Sequence, residues 1–180
     1  MQHEVPWLFA LVQIPAEPSR HRVAVWRELK RAGAVTIAQG AWALPDTTQS
    51  RAALNRAGGL ASEGGGHVAV FAADPQNDAA RSVVADLYRN ARVEEWREFD
   101  ADCAKFEAEI ASEIAKQKFT FAELEEEEQS LDRLRRWYRD LKRRDVLGLA
   151  EAEASAQQLR ACESALEHFA ELVYAADRSG

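Results

Sequence analysis

Cysteine is nearly absent from this chain. Cys103 and Cys162 are the only two in 180 residues, and neither belongs to a CxxC pair or a Cys/His cluster. That excludes a disulfide framework and a thiolate zinc site, and it makes a reduced, cytoplasmic protein the expectation. Both cysteines sit in helical periodicities, where a thiol packs as a small apolar group. Histidine is as sparse: His3, His21, His67 and His168 share no HxxxH or His/Cys spacing, so no metal site is expected. Long apolar runs are missing as well. The opening MQHEVPWLFALVQIP has no basic stretch ahead of its short apolar run, and nothing later approaches the ~18 apolar residues that span a bilayer, so neither export signal nor membrane anchor is expected. Gly64 to Gly66 lacks the GxxxxGK[ST] frame of a phosphate loop and reads as a turn. No catalytic constellation is present, so neither enzyme activity nor a cofactor is expected.

Positive charge is in overall deficit. The 30 Asp and Glu exceed the 23 Lys and Arg, giving net −7. The whole protein therefore repels polyanions, and any nucleic-acid contact has to be a local basic patch. With 47% apolar residues, the chain has enough material for a core of its own.

The first half alternates short elements. Trp7 to Ile14, between Pro6 and Pro15, reads as a strand buried on both faces. A helix over about Pro18 to Ala32 follows, capped by Ser19 and ended by Gly33, with Val23, Trp26 and Leu29 on its buried face. Val35 to Ile37 and Ala41 to Leu44 are brief strands joined by a turn at Gln39-Gly40. Asp46 with Gln49 is expected to cap a second helix that fades at Gly58 and Gly59, and His67 to Ala73 is a further strand. The order strand, helix, strand, strand, helix, strand predicts α+β, a ferredoxin-like split βαβ domain with a four-stranded antiparallel sheet over residues 1–75.

Proline ends at Pro75, and beyond Gly66 glycine returns only at Gly148 and Gly180, so residues 76–180 are expected to form an antiparallel assembly of about three helices packed on the sheet domain. Leu87, Ala91, Trp96, Phe99, Cys103, Phe106, Ile110 and Ile114 give one stripe. Thr120 with Glu123 forms a capping box for the next helix, striped by Leu124, Leu131, Leu134, Tyr138 and Leu141. After Gly148 the stripe is Leu159, Cys162, Leu166, Phe169, Val173 and Ala176.

Two basic blocks stand out. The first helix carries Arg20, Arg22, Arg27, Lys30 and Arg31 against Glu28, five minus one or +4 locally. Clustered guanidiniums suit phosphate oxygens because they stay charged and donate two bonds in one plane. The bland account is a basic solvent face on an amphipathic helix. Arg133 to Arg144 (RLRRWYRDLKRR) is the second block, with Tyr138 reading as core and Trp137 beside it. The acids of Glu123 to Glu128 just before it read most economically as a helix N-terminus favoured by the macrodipole.

The runs WLFALVQIPAEPSRHRVAVWRELKRAGAV, QGAWALP, KFTFAELEEEE and LRRW resemble the N-terminal domain of the ChrB family of bacterial chromate-resistance regulators, over about Trp7 to Ala176. The front half of that family is similar to the middle domain of PaaX-type repressors and, more distantly, to the small ferredoxin-like nucleases of CRISPR adaptation. The resemblance implies a cytoplasmic transcriptional regulator that binds promoter DNA of a chromate-efflux operon, with Arg20, Arg22, Arg27, Lys30 and Arg31 as the contacts. Separately from the resemblance, a homodimer is an expectation. The nucleases carry a metal-binding aspartate where this chain has Gln13, so nuclease activity is not implied. Family members continue into a second, C-terminal domain, while this sequence stops at Gly180. The alternative is thus an accessory module that does not touch DNA and pairs with a separate C-terminal-type sensor chain.

Overall fold

Pro6 and Pro15 bracket an apolar run that the computed structural model, which describes residues 5–178, shows as strand β1 (Trp7–Gln13). His3 and the first residues of the opening segment lie outside the described residues. Then follow α1 (Ser19–Arg31), β2 (Val35–Ala38), β3 (Ala41–Pro45), α2 (Thr48–Glu63), β4 (His67–Ala73), α3 (Asp78–Ala115), α4 (Phe121–Arg144) and α5 (Ala150–Asp177). The strands form one antiparallel sheet in the order β2-β3-β1-β4, the ferredoxin-like split βαβ arrangement. Contacts divide the chain into two compact units, one ending at Ala91 and the other beginning at Arg92.

In the first unit, α1 and α2 bury Val25, Leu29, Leu54, Ala57 and Ala61 against Leu8, Ala10, Trp42 and Leu44 of the sheet. Removing a Val or Leu side chain from water contributes about 1.5–3 kcal/mol, so this layer is the main source of the unit's stability. Of the three residues expected on the buried face of α1, only Leu29 is buried. Val23 and Trp26 are 41% and 52% exposed, while Val25, Glu28 and Leu29 are buried. Two apolar pairs run along this helix, and the one that meets the sheet leaves its rival outside. Ser19 is not the cap either: Pro18 holds the N-cap position, makes no side-chain cap bond, and Ser19 is the first helical residue.

The second helix begins one residue later than expected. Thr47, not Asp46, is its N-cap and accepts from the Ser50 amide at 3.0 Å, while the Asp46 carboxylate takes a two-pronged hydrogen bond from Arg51 at 2.7 and 2.6 Å. The helix does not fade at Gly58 and Gly59. Each helical glycine costs about 1 kcal/mol relative to alanine, and burial of Leu54, Ala57 and Ala61 on the adjoining face outweighs it. Gly33, Gly40 and the strand at His67 are placed as expected, with Gly40 at φ 73° between β2 and β3.

The second unit is a three-helix core. Contacts at both ends show antiparallel neighbours: the Trp96 indole on α3 donates to Asp145 just past α4 at 3.3 Å, and Phe121 at the start of α4 meets Tyr174 near the end of α5 at 5.4 Å. Between these lie Phe99, Cys103, Phe106 and Ile110 of α3, Leu131, Leu134 and Leu141 of α4, and Cys162, Leu166 and Phe169 of α5, all buried. Thr120 caps α4 by accepting from the Glu123 amide at 3.3 Å, whereas the Glu123 side chain lies 3.5 Å from Lys118. The expected stripes shift at their ends. Leu87 is 38% exposed and Tyr88 is buried in its place, in edge contact with Trp7, while Ala176 is exposed.

Candidate nucleic-acid interface

All five cations proposed for contact lie on α1 and are exposed, because the helix turns Val25, Glu28 and Leu29 to the sheet and everything charged but Glu28 away from it. They are not equivalent. Arg22 and Arg27 make no ion pair among the described residues. Arg31 lies 3.4 Å from the buried Glu28 carboxylate, which also takes a 2.7 Å bond from Arg56 of α2. Glu28 is therefore neutralised inside the α1–α2 layer, and it no longer offsets the outer face. The Arg20 guanidinium donates to His21 Nε2 at 3.2 Å, which tethers it at the start of the helix.

Trp26 and Val23 lie among these cations, not beneath them. They border an open groove of about 470 Å³ between α1 and the β2–β3 hairpin, floored by Val25 and Leu29, walled by Trp42 and the Gln39–Gly40 turn, with Arg22 at the rim. A half-exposed indole beside an unpaired guanidinium is a surface on which a planar group can stack and an anion can be held at once. Reading Trp26 as scaffold missed this. The informative signal was its neighbours, since Arg22, Arg27 and Lys30 stand four before, one after and four after it, the surroundings of a solvent face. The groove's shape depends on close backbone approach. A Cβ on Gly40 would lie 2.9 Å from the Val12 carbonyl oxygen.

Four of the seven cations in the second basic block have partners within their own unit, while the exposed Arg136, Arg139 and Lys142 make no ion pair among the described residues. Arg135 bonds Glu163 at 2.9 Å and Asp132 at 3.3 Å, Arg133 donates to Ser130, Arg143 pairs with Asp140, and Arg144 lies 3.6 Å from Glu95. Its aromatics are packing groups, as expected. Tyr138 lies 5.5 Å from Trp96 and 5.8 Å from Phe99, its hydroxyl donates to the Ala152 carbonyl, and Trp137 meets Phe99 edge-on. Among the described residues, no cluster of three His, Cys, Asp or Glu is arranged to hold a metal ion. His67 and His168 are exposed, one in each unit, and Gln13 ends β1 at an exposed position.

Cys103 and Cys162, distant in sequence, meet in the core of the second unit, where the Cys162 thiol donates to the Cys103 carbonyl at 3.5 Å. The neighbouring thiol and burial together hold the Cys103 thiol well above its ordinary range, so it stays protonated. Glu127, in the middle of the acidic run, is also buried, and its Oε2 has no hydrogen-bond partner.

Comparison with known proteins adds the family. A family model described as Protein ChrB, N-terminal, matches residues 22–180. Protein ChrB of Cupriavidus metallidurans is 33% identical over 96 residues, 52% of this chain and 29% of that relative, so the chain aligns with under a third of the relative's length. No solved structure matches the chain. Four of the five α1 cations, Arg22, Arg27, Lys30 and Arg31, fall inside the family match, and Arg20 precedes it. Reaching from α1 through the sheet hairpin and all three long helices, that match makes this chain a member of the ChrB N-terminal family.

Proposed function

We propose that this chain is the DNA-contacting module of a transcriptional regulator of chromate resistance, working in the cytoplasm on the promoter of a chromate-transporter operon. The observation that carries the reading is the outer face of α1, where exposed Arg22 and Arg27 without ion pairs flank a half-exposed Trp26 on a protein of net −7. A local cationic face on an acidic body confines phosphate contact to such a face. Guanidiniums position the helix on the backbone, and they carry no base-specific readout by themselves. The test is binding to duplex DNA from such a promoter. Arg20→Ala/Arg22→Ala is expected to weaken binding to all duplexes to a similar degree, and absence of binding at low salt, or an unchanged affinity in the double variant, refutes the reading.

A second reading is favoured by a different observation. Phe121 and Tyr174 form an edge-to-face aromatic pair at one end of the helical unit while remaining 47% and 54% exposed. Aromatic side chains left in solvent mark protein contact sites, and an accessory module would use this end to engage a separate sensor chain. Co-elution with the remaining C-terminal part of a family member, lost in Phe121→Ala/Tyr174→Ala, would support it. Migration as separate species would refute it.

A further inference from the structure

Strand β4 is the last in the sheet order, so one side of it pairs with β1 and the other pairs with nothing among the described residues. Natural sheets guard such edges with charge, proline, bulges or shortness. β4 has none of these. It is seven residues long, HVAVFAA, its register with β1 runs unbroken from Trp7↔Ala73 to Gln13↔His67, and no residue between His67 and Ala73 carries a formal charge. Val70 is 44% exposed and Phe71 is 52% exposed, and because successive residues of a strand point to opposite faces, the edge is apolar on both. The opposite edge, β2, is guarded by comparison, since it has four residues and a register shift between Thr36 and Ala38.

We propose that β4 pairs antiparallel with β4 of a second copy of this chain, joining two four-stranded sheets into one of eight. The occupant is argued from self-complementarity. An isologous contact needs one surface that fits itself, and two antiparallel copies of one strand share a twofold axis normal to the sheet. With the axis at Val70, Val70 faces Val70 of the second copy, Ala69 faces Phe71, Val68 faces Ala72 and His67 faces Ala73. Large residues meet small ones, and no like charges oppose. Phe71, whose β1 neighbour is Phe9, is then placed against Ala69 of the second copy, whose β1 neighbour is the half-exposed Leu11. Cross-strand aromatic and aliphatic pairs of this kind stabilise sheets, whereas like charges directly opposite each other destabilise them. The axis puts both α1 helices on one side of the joined sheet. The proposal rests on β4 alone and does not need α1 to bind DNA.

The experiment measures the mass of the full chain in solution across a concentration series. The expected result is a dimer at micromolar concentration that Val70→Lys converts to monomer, because two lysines then face each other at the axis. Val70→Glu is expected to do the same. Mixing the two variants should restore a dimer containing one of each, a rescue that a merely misfolded strand does not give. Ile37→Lys, on the other edge, should leave the dimer intact. A chain that is monomeric throughout, a dimer indifferent to Val70→Lys, a mixture of the two variants that stays monomeric, or a dimer broken by Ile37→Lys overturns the proposal.

Discussion

Gln117 and Gly33 hold the same place in two helices. At the end of α1 the Ala34 amide bonds the Leu29 carbonyl and the Gly33 amide bonds Lys30, and at the end of α3 Lys118 bonds Glu113 and Gln117 bonds Ile114. Both are Schellman ends, which place one residue in the left-handed region: Gly33 at φ 81° and Gln117 at φ 58°. Glycine occupies that region freely, and a residue with a Cβ is strained there by about 1–2 kcal/mol. Gln117→Gly is therefore expected to raise stability by up to about 1 kcal/mol and Gly33→Ala to lower it by about the same, in urea unfolding. Glu127 is a different case. Burial, then the carboxylates Glu109 and Glu113 of α3 and Glu123 and Glu126 of α4, push its carboxyl up to about 6. An unfolded glutamate titrates near ~4.3, so the folded chain holds the extra proton across that window and stability falls as pH rises through it. Glu127→Gln should flatten this part of the profile and be more stable than the parent above neutral pH, as read from urea midpoints across the pH range.

At the scale of elements, α1 separates what periodicity tells from what packing tells. Its apolar residues allow two stripes that share Leu29, one with Val23 and Trp26 and one with Val25, and spacing does not choose between them. The sheet chooses, because Val25 is buried with Leu29 while Trp26 stays 52% exposed. The consequence is measurable. Leu29→Ala is expected to cost about 2–5 kcal/mol and Trp26→Ala under about 1 kcal/mol in urea unfolding, the reverse of what side-chain size alone would give. If the α1 groove meets nucleic acid, Trp26→Ala should weaken DNA binding while leaving the fold intact. The cationic residues were legible because charge shows in composition. Their division into ion-paired Arg31 and unpaired Arg22 and Arg27 was not, because Arg56 reaches Glu28 from a helix 28 positions further along.

For the molecule as a whole, charge and thiol chemistry set the observable behaviour. A body of net −7 whose positive charge is confined to local helix faces should bind polyanions only weakly and with steep salt dependence. The slope of log K against log salt is expected to be about −0.9 per phosphate contacted, and Arg22→Ala should reduce its magnitude by about 1. Cys103 and Cys162 are both at 0% exposure in the helical core, so neither should react with a thiol reagent in the folded protein. Both should label once urea unfolds the chain, and rapid labelling of the native protein would contradict this packing. Among the described residues no helix is long and apolar enough to cross a membrane.

The sequence by itself determined the element order, the ferredoxin-like sheet and the three-helix second half, because apolar runs between prolines, glycine stops and three-and-four spacing are local signals. It also placed the cations on α1. Tertiary structure alone decided which α1 stripe is buried, which cap opens α2, that two cysteines 59 positions apart meet, and that β4 is an open apolar edge. Each of these depends on what a distant segment covers, and local spacing carries no record of that.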